Sequence, residues 1–521
     1  MKALLFHGGR VHVGDGRSAP ALLAREGRVV ALGAPEELRR LAPDAEAIDL
    51  GGGLMVPGLT DAHVHFMWWS IQMTQLDLRD EGSVDGALAR IAERVRGLPE
   101  GTWLEGGRFD KNRWGRWPTA AELDRVTAGH PAALRSRDGH ARWLNSAALR
   151  IAGIGSDTPD PEGGALARDA AGAPTGILKE NANRFADAVV PPPTADECLA
   201  AIRRGQDEAW RRGLTGIEDL EQEGALAAFT RLDERSELGL RVSMGIPYAS
   251  LGHVLALGRR TGLGGEWLRT GHLKIFTDGA LGSQTAALEE PYEGTDDRGI
   301  LTIAPDTLRS DVTRAAAGGI AVAIHAIGDR AVRAALDAIE PTRAQAPGLR
   351  QKIEHLQLLR AQDVGRFAAL GVVASMQPIH ATSDRDLADR YWGPRRTARA
   401  YPWRTLLASG TRLAFGSDAP VEPIDPLAGI YAAVSRRRPG DRTAWHPTQR
   451  LTFAEALAAY AAGPAWALGR ECELGTLAPG MLADATIFDR DVFGLPEETL
   501  LEVRIAGTLT GGLLRFAGGL G

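Results

Sequence analysis

The sequence predicts an α/β fold, a TIM (β/α)8 barrel with a small flanking β-sandwich domain, and three observations predict it. First, eight short apolar runs alternate with helix-like segments after Leu54, which is the strand count of such a barrel. Second, both chain ends carry short strand-like runs separated by Gly, Asp or Pro. Third, about 150 residues separate the first two barrel runs, far more than a βα connection needs, which predicts a large insertion after the first strand.

Both chain ends are expected to contribute to one β-sandwich domain, over residues 1–55 and 470–521. The termini of a domain often lie close together, so the two strand-rich ends are expected to meet. The candidate strands are Ala3–Phe6, Arg10–Val13, Ala21–Ala24, Arg28–Leu32, two short strands within 475–488, Val503–Gly507 and Gly512–Phe516.

The barrel is predicted over residues 56–469, with a helix at Phe453–Leu468 as its last element. Its strands are expected to be parallel, since helical stretches separate the apolar runs. The eight candidate strands are Leu54–His65, Leu214–Asp219, Arg241–Pro247, His272–Asp278, Ile320–His325, Gln351–His355, Val372–Gln377 and Leu413–Asp418. The helices among them are expected at Ala195–Arg211, Ala225–Arg235, Pro305–Ala316, Arg330–Ile339, Ala361–Ala369 and Trp403–Leu407.

The insertion, over about residues 67–190, is rich in tryptophan. An aromatic segment directly after the first strand is expected to cover the active site and to line a substrate pocket, with Trp114 as a substrate contact. The alternative is that these tryptophans form the insertion's own small core. They are Trp68, Trp69, Trp103, Trp114, Trp117 and Trp143.

Composition and charge argue against several classes of protein. The net charge of −6 and the pI near 6.1 give no electrostatic basis for binding nucleic acid or an anionic membrane. The two cysteines, Cys198 and Cys472, are too few for a disulfide framework. No run of about 18 apolar residues is present, and a glycine pair interrupts the N-terminal apolar run before a signal peptide could form. We therefore expect a cytoplasmic protein that acts on a small molecule.

Two histidines close the first barrel strand. In a β-strand, residues i and i+2 point to the same face, so His63 and His65 are expected to lie side by side, as two ligands of one metal ion would. Alone, His-x-His is a weak signal, because strand histidines with ordinary hydrogen bonds have the same spacing. The interpretation therefore depends on the other strand ends.

Four further strands end in residues that can bind metal ions. Catalytic residues of a (β/α)8 barrel lie at the carboxyl ends of the strands. The fourth strand contributes Lys274, the fifth His325, the sixth His355 and the eighth Asp418. Imidazole and carboxylate ligands suit two divalent cations, with Zn²⁺ as the first choice and Mn²⁺ or Fe²⁺ as alternatives.

Lys274 is the unusual member of this set. A protonated ammonium would be repelled by two dications, so burial beside them should lower the pKa of Lys274. The neutral amine can combine with CO₂, and the resulting carbamate has two oxygens that can bridge two metal ions. Taken without the other strand ends, Lys274 would be interpreted as a surface or substrate-binding lysine.

With these motifs the chain resembles the amidohydrolase superfamily along essentially its whole length. Within it, the resemblance is to amidohydrolase family 3, the YtcJ-like metal-dependent hydrolases that include N-substituted formamide deformylases. It implies a distorted TIM barrel with a flanking β-sandwich, and a binuclear metal site with a carboxylated lysine. The motifs that carry it are residues 57–65 (PGLTDAHVH), 137–146 (RDGHARWLNS), 274–283 (KIFTDGALGS), 325–329 (HAIGD), 354–355 (EH), 375–378 (SMQP) and 416–421 (GSDAPV).

The resemblance also implies a reaction and a role for each ligand. A hydroxide that bridges the metal ions would attack the carbonyl carbon and so cleave the C–N bond of an amide other than a peptide, with an N-substituted formamide as one candidate, while Asp418 takes the proton and passes it to the leaving amine. Asp418, Lys274 and His325 are the catalytic residues in this scheme. The implied ligands are His63, His65 and Asp418 for the more buried ion, His325 and His355 for the more exposed ion, and carboxylated Lys274 as the bridge.

Three further residues are candidate substrate contacts. His140 could reach the pocket from the insertion, or it could hold a turn. Gln377 and His380 follow the seventh strand and could face the substrate. Lys179 and Glu180 form a motif whose role the sequence does not reveal.

Two other functions stay open from the sequence. One is a deaminase or cyclic-amide hydrolase on the same barrel, although mononuclear deaminases of this superfamily generally lack the bridging lysine. The other is a catalytically inactive barrel that serves as a scaffold or binding protein, although all six ligand positions are filled. The resemblance also makes a homodimer one option for assembly.

Overall fold

A computed structural model describes residues 2–220 and 224–520, and it confirms the predicted α/β barrel. Eight parallel strands form one sheet in sequence order. The Asp418 amide donates to the His63 carbonyl (2.7 Å) and the His65 amide to the Ala419 carbonyl (2.9 Å), so the first and last strands meet and the barrel is nearly closed. The strands are β1 (Leu59–Val64), β2 (Leu214–Asp219), β3 (Arg241–Pro247), β4 (Leu268–Phe276), β5 (Val322–Ala326), β6 (Lys352–His355), β7 (Val373–Met376) and β8 (Leu413–Phe415).

Helices surround this barrel. The helix Ala195–Arg211 has the predicted bounds and begins at a capping box, in which the Thr194 hydroxyl accepts from the Glu197 amide and the Glu197 carboxylate accepts from the Thr194 amide. In residues 2–220 and 224–520, no helix is long and apolar enough to cross a membrane. The helices of the barrel region are Ala195–Arg211, Ala225–Glu234, Leu251–Ala256, Pro305–Ala317, Asp329–Ile339, Thr342–Gln345, Val364–Leu370, Pro378–Ser383, Arg385–Tyr391, Pro394–Thr397, Trp403–Ala408, Pro426–Ser435, Phe453–Tyr460 and Ala462–Ala467.

The predicted first strand, Leu54–His65, is wrong as a single element. Its first part, Leu54–Pro57, pairs in the β-sandwich, and only Leu59–Val64 belongs to the barrel. The chain passes from one sheet to the other at Gly58, where a Cβ atom would lie 2.3 Å from the Thr215 hydroxyl oxygen. The Thr215 side chain therefore leaves no room for a Cβ atom at residue 58, and this junction requires glycine.

The predicted helix Phe453–Leu468 is also divided. It consists of Phe453–Tyr460 and Ala462–Ala467, separated at Ala461. Pro464 has no backbone N–H and its ring would clash with the carbonyl group four residues earlier in a continuous helix. The proline therefore accounts for the break.

The chain ends form the predicted β-sandwich of two sheets. Strand Leu54–Pro57 pairs antiparallel with Ala485–Phe488, which joins the N-terminal part of the chain to the C-terminal part. Apolar residues of both sheets, among them Phe6, Met55 and Ile487, share one core. The sheets, in spatial order, are Arg28–Gly33, Ala21–Arg25, Leu4–His7 and Glu46–Asp49, and then Leu513–Ala517, Ile505–Thr510, Ala485–Phe488, Leu54–Pro57, Arg10–His12 and Ser18–Ala19. The division of the chain into domains at residues 55 and 470 stays a prediction.

The insertion after β1 folds around a six-stranded sheet of its own. Its apolar residues form two clusters, one of which contains Phe109 and Trp143. The strands, in spatial order, are Gly164–Arg168, Pro174–Glu180, Ala141–Leu144, Ala132–Ser136, Leu104–Phe109 and Leu76–Asp77. Short helices accompany them at Phe66–Gln72, Val84–Val95, Lys111–Trp114, Ala120–Asp124, Ser146–Ile151 and Arg184–Asp187.

Candidate metal centre

Side chains from several strands converge at the carboxyl end of the barrel. His63 Nε2 lies 3.3 Å from Lys274 Nζ and 3.4 Å from Asp418 Oδ1. His65 Nε2 lies 3.5 Å from the same carboxylate oxygen. One ligand atom each of His63, His355 and Asp418 lies within 4.8 Å of the other two, a spacing that could hold a metal ion.

His325 and His355 complete the group of histidines. Their ring centroids are 4.4 Å apart, and the His355 ring lies 4.8 Å from that of His63. His355 Nδ1 is buried and has no hydrogen-bond partner in the described chain. His325 Nε2 lies 3.2 Å from the Gly279 carbonyl oxygen, so the other ring nitrogen is its available ligand atom. A buried imidazole nitrogen without a partner fits a metal ligand, because an unpaired buried polar atom is otherwise costly.

The backbone is strained where two of these side chains leave their strands. His355 and Leu356 have φ values of 74° and 51°, and Asp418 has a φ of 58°. Residues other than glycine seldom adopt this left-handed region, and such strain is concentrated at functional sites. Here it directs the side chains at the ends of β6 and β8 into the common site.

Burial favours the neutral forms of the basic groups. It lowers the pKa of His63 to about 4 and holds the pKa values of His325 and His355 well below their usual range. Burial also lowers the pKa of Lys274 to about 8. Neutral imidazoles can act as ligands of a cation. The neutral fraction of the Lys274 amine can react with CO₂.

An ion-pair network lies inside the barrel beneath His63. His63 Nδ1 is 2.7 Å from Glu354 Oε2, and Lys352 Nζ lies 2.9 Å from Glu354 Oε1 and 2.7 Å from Glu218 Oε2. The other oxygen of Glu218 contacts His272 Nδ1 at 2.6 Å. A neutral His63 that donates its Nδ1 proton to Glu354 presents the lone pair of Nε2 to the site. Carboxylates orient metal-binding histidines in this way.

Glu354, Lys352 and Glu218 were not predicted from the sequence to be functional residues. A signal was present, because Lys352 and Glu354 are two residues apart on a buried strand and so face the same side. His272 and Lys274 have the same spacing on β4. Side chains from alternate strands of a (β/α)8 barrel meet in layers in its interior, and β2, β4 and β6 meet here through charged groups.

A second set of polar contacts surrounds Asp418. His380 Nε2 lies 3.2 Å from Asp418 Oδ2, and His380 Nδ1 lies 3.7 Å from Glu422. Glu422 in turn accepts from Arg137 at 2.5 Å and from the Ser383 hydroxyl at 2.6 Å. Burial opposes ionisation of Asp418, but His63 and the hydrogen bond from His380 hold its pKa well below the usual range. Asp418 is therefore a carboxylate, in contact with His380 on the side away from His63.

His140 of the insertion lies beside His325 at the candidate site. Its ring centroid is 5.5 Å from that of His325, and its Nδ1 lies 2.8 Å from Glu180 Oε2. The other oxygen of Glu180 accepts from the Thr285 hydroxyl at 2.6 Å. Burial lowers the pKa of His140, but the Glu180 carboxylate outweighs it and raises the pKa to about 9. Glu180, whose role the sequence did not reveal, thus holds His140 in place.

A cavity of about 1550 Å³ lies between the barrel rim and the insertion. Trp68, Trp103 and Trp117 line it, so part of the insertion's tryptophan content faces the site as predicted. The strand-end residues that line it are His65, Lys274, His325, His355 and Asp418, and the substrate-contact candidates that line it are His140 and His380.

Two predicted substrate contacts do not line this cavity within the described chain. Trp114 is partly buried, stacks on Phe109 at 5.5 Å against the core of the insertion, and donates its indole N–H to the Glu81 carbonyl. The Gln377 side chain is buried, and its Nε2 atom lies 3.2 Å from His63 Nδ1. Both side chains therefore pack behind the surface that a substrate would meet.

Comparison with known proteins finds one family and relatives of nearly full length. Residues 46–515 match the amidohydrolase family. The chain is 33% identical to YtcJ of Bacillus subtilis (strain 168) over 531 residues, 99% of each protein. It is 29% identical to the N-substituted formamide deformylase of Arthrobacter pascens over 537 residues, 99% of this chain and 98% of that protein. The solved structure of an uncharacterized metal-dependent hydrolase from Pyrococcus furiosus is 29% identical, with a TM-score of 0.75 and coverage of 94% of this chain and 99% of that one.

Proposed function

Because the chain belongs to the amidohydrolase family, we propose that it is a metal-dependent hydrolase of C–N bonds in amides other than peptides, with N-substituted formamides as the first substrates to test. The observation that carries this proposal is the convergence of His63, His355 and Asp418 at the carboxyl end of the barrel, with ligand atoms within 4.8 Å of one another and Lys274 Nζ 3.3 Å from His63. The name of the Arthrobacter pascens relative supports the choice of formamides.

Two divalent metal ions, with zinc as the first choice, are proposed for this site. The donors fit them, because the imidazoles of His63, His325 and His355 are neutral, Asp418 is ionised, and His355 Nδ1 has no other partner in the described chain. Bound ions would polarise the substrate carbonyl and lower the pKa of a water molecule. The proposed ligands are His63, His65, Lys274, His325, His355 and Asp418.

Lys274 is proposed to act as a carbamate. Its pKa of about 8 leaves a fraction of the amine neutral near pH 7. The amine nitrogen would form a bond to the carbon of CO₂ and release one proton to solvent. The product is an anion with two oxygens in place of a cation, and such oxygens are suitable ligands for divalent metal ions.

Asp418 is proposed as the general base and then the general acid. It would accept a proton from the attacking water and donate it to the leaving nitrogen. His380, 3.2 Å from Asp418 Oδ2, fixes the orientation of the carboxylate, and Glu422 holds His380 from the other side. His140 is proposed to contact the substrate carbonyl region, since Glu180 holds its ring at the cavity wall.

Metal content and activity test the proposal together. The purified protein would be assayed with N-formyl amines, N-acyl amines, lactams and esters before chelation, after chelation, and after reconstitution with zinc or manganese. We expect amide hydrolysis that is lost on chelation and restored by metal. Full amidase activity in metal-free protein would overturn the proposal.

The variant Lys274→Ala tests whether two metal ions are needed. We expect it to bind less metal than the wild type and to lose activity by about 100-fold or more, the range of a lost catalytic group. Mass spectrometry of the metals and kcat on the best formamide are the measurements. A variant that keeps one tightly bound ion and full activity would instead favour a mononuclear, deaminase-like mechanism.

A further inference from the structure

An ion pair ties the insertion to the barrel beside the candidate metal centre. Arg137 lies in the turn between the insertion strands Ala132–Ser136 and Ala141–Leu144. Its guanidinium donates to Glu422 Oε1 at 2.5 Å, and the two side chains are 27% and 6% exposed. Both line the cavity. A residue of the insertion therefore neutralises a buried carboxylate on the loop that carries Asp418, the candidate general base.

The same carboxylate oxygen faces His380. Glu422 Oε1 accepts from the Ser383 hydroxyl at 2.6 Å, and His380 Nδ1 lies 3.7 Å from it. That distance is too long for a hydrogen bond. On its other side, the imidazole lies closer to the base, with His380 Nε2 3.2 Å from Asp418 Oδ2. Since Arg137 and Ser383 already satisfy this oxygen of Glu422, the His380 ring is left to Asp418.

Two buried carboxylates thus compete for one imidazole. In the described part of the chain, Arg137 and His380 are the basic groups within 4 Å of Glu422. A buried carboxylate that loses its cation is strongly destabilised, so it takes the nearest remaining donor. Without Arg137, that donor is the ring of His380. Movement of the ring toward Glu422 would lengthen its contact with Asp418 and release the carboxylate.

We propose that Arg137 is a positioning residue for the reaction: by holding Glu422 it leaves His380 in contact with Asp418, so that the base is correctly oriented only when the insertion is docked on the barrel. Arg137 itself need not touch the reacting atoms. A misplacement of about 1 Å in the site can lower a rate by about 100-fold. The inference rests on the proposed role of Asp418 as general base, and it adds a residue of the insertion to that role.

The variant Arg137→Ala tests the inference in the metal-loaded enzyme. We expect kcat on the best amide substrate to fall by about 10- to 100-fold with little change in KM, because the variant disturbs the orientation of the base and not the binding of substrate. Guanidinium chloride at millimolar concentration should restore part of kcat, since Glu422 lines the cavity and a small cation can reach it. Urea has the same shape without the charge and should not restore it.

A second substitution separates competition for His380 from a general loss of structure. Glutamine at position 422 keeps the shape of the side chain but lacks the charge that attracts the imidazole. The double variant Arg137→Ala, Glu422→Gln should therefore have a kcat several-fold higher than Arg137→Ala alone, whereas two merely structural losses would add. Full kcat in Arg137→Ala, equal rescue by guanidinium and urea, or a double variant less active than Arg137→Ala would overturn the inference.

The variant Arg116→Ala is the matched control. Arg116 also belongs to the insertion and pairs with a glutamate, Glu122, but this pair lies within the insertion and Arg116 does not line the cavity in the described chain. It should keep the kcat of the wild type. A loss of kcat as large as that of Arg137→Ala would show that any arginine of the insertion has the same effect, and it would count against a specific role for Arg137.

Hydrogen exchange separates this inference from the proposed function. If no amide of the panel is hydrolysed, the proposed reaction fails, yet deuterium uptake of the helix Pro378–Ser383 in the protein as purified still tests the contact. We expect faster exchange in Arg137→Ala than in the wild type, reversed by guanidinium but not by urea, and no change in Arg116→Ala. Equal uptake by the wild type and Arg137→Ala would contradict the inference.

Discussion

At the scale of single residues, Glu354 links the candidate metal centre to the barrel interior. Its carboxylate contacts His63 Nδ1 at 2.7 Å and the Lys352 ammonium at 2.9 Å. Burial raises the pKa of Glu354, but attraction to the Lys352 ammonium and the hydrogen bond from His63 outweigh it and hold the pKa well below its usual range. Glu354 is thus a permanent acceptor for the Nδ1 proton, and it selects the tautomer of His63 that can bind a metal through Nε2.

We expect Glu354→Gln to weaken metal binding by about 10- to 100-fold, the usual effect of removing a carboxylate behind a metal-binding histidine. The amide can still fill the space, but it no longer carries the charge that fixes the His63 tautomer. Competition with a coloured chelator measures the change. Glu266→Gln is the control, because Glu266 is an exposed carboxylate that pairs with Arg241 far from the site. Equal metal affinity in wild type and Glu354→Gln would contradict this role.

Much of the candidate site could be predicted from residues at strand ends. His63, His65, Lys274, His325 and Asp418 were all identified by that rule, and the structure brings their side chains together. The rule cannot identify Glu354 or Glu180, because their partners lie on other strands and sequence spacing does not reveal which side chains meet across a barrel. Trp114 was predicted to contact the substrate but does not line the cavity in the described chain. Composition alone does not distinguish a tryptophan packed within the insertion from one at the cavity wall.

At the scale of elements, β2, β4 and β6 form a charged layer within the barrel. Glu218, His272, Lys352 and Glu354 are all buried, and Lys352 also donates to the Ala62 carbonyl at 3.1 Å. Apolar side chains usually fill this space in a (β/α)8 barrel. The layer is stable only as a set, because each charge offsets the cost of burying its neighbour.

We expect Lys352→Met to destabilise the protein by about 3 to 5 kcal/mol, the usual cost of removing one partner from a buried ion pair. Methionine fills the space, but Glu218 and Glu354 are left without their cation. The denaturant midpoint measures the loss. Adding Glu218→Gln to this variant removes one of the stranded charges and should recover part of the stability. A single variant as stable as the wild type would show that the charges contribute little.

Element boundaries were predictable where local chemistry sets them. The helix Ala195–Arg211 begins at the Thr194 capping box, which is visible in the sequence as a threonine followed three residues later by glutamate. The junction at Gly58 was not predictable, because the neighbour that excludes a side chain, Thr215, is distant in sequence. One continuous apolar run in the sequence therefore corresponds to two strands in different sheets of the structure.

At the scale of the whole molecule, a buried ion pair contributes to the junction between the β-sandwich and the barrel. Arg241 on β3 contacts Asp484 through two bonds, of 2.5 and 2.9 Å, and the side chains are 3% and 2% exposed. The same carboxylate accepts from the Gly511 amide at 2.8 Å. Trp267 lies against the Arg241 guanidinium, with its ring centre 4.3 Å away. Asp484 thus connects the C-terminal strands to the barrel wall.

We expect Asp484→Asn to destabilise the protein by about 3 to 5 kcal/mol, because the asparagine removes the buried counter-charge of Arg241 and leaves only the exposed Glu266 carboxylate beside the guanidinium. Glu266→Gln is a matched control on the same arginine, since the Glu266 side chain is 53% exposed and such pairs contribute about 1 kcal/mol or less. Denaturant midpoints compare the two variants, and kcat at low denaturant should be unchanged in both because neither residue lies near the cavity. If the small effect is found for Asp484→Asn and the large one for Glu266→Gln, the buried pair does not hold the sandwich to the barrel.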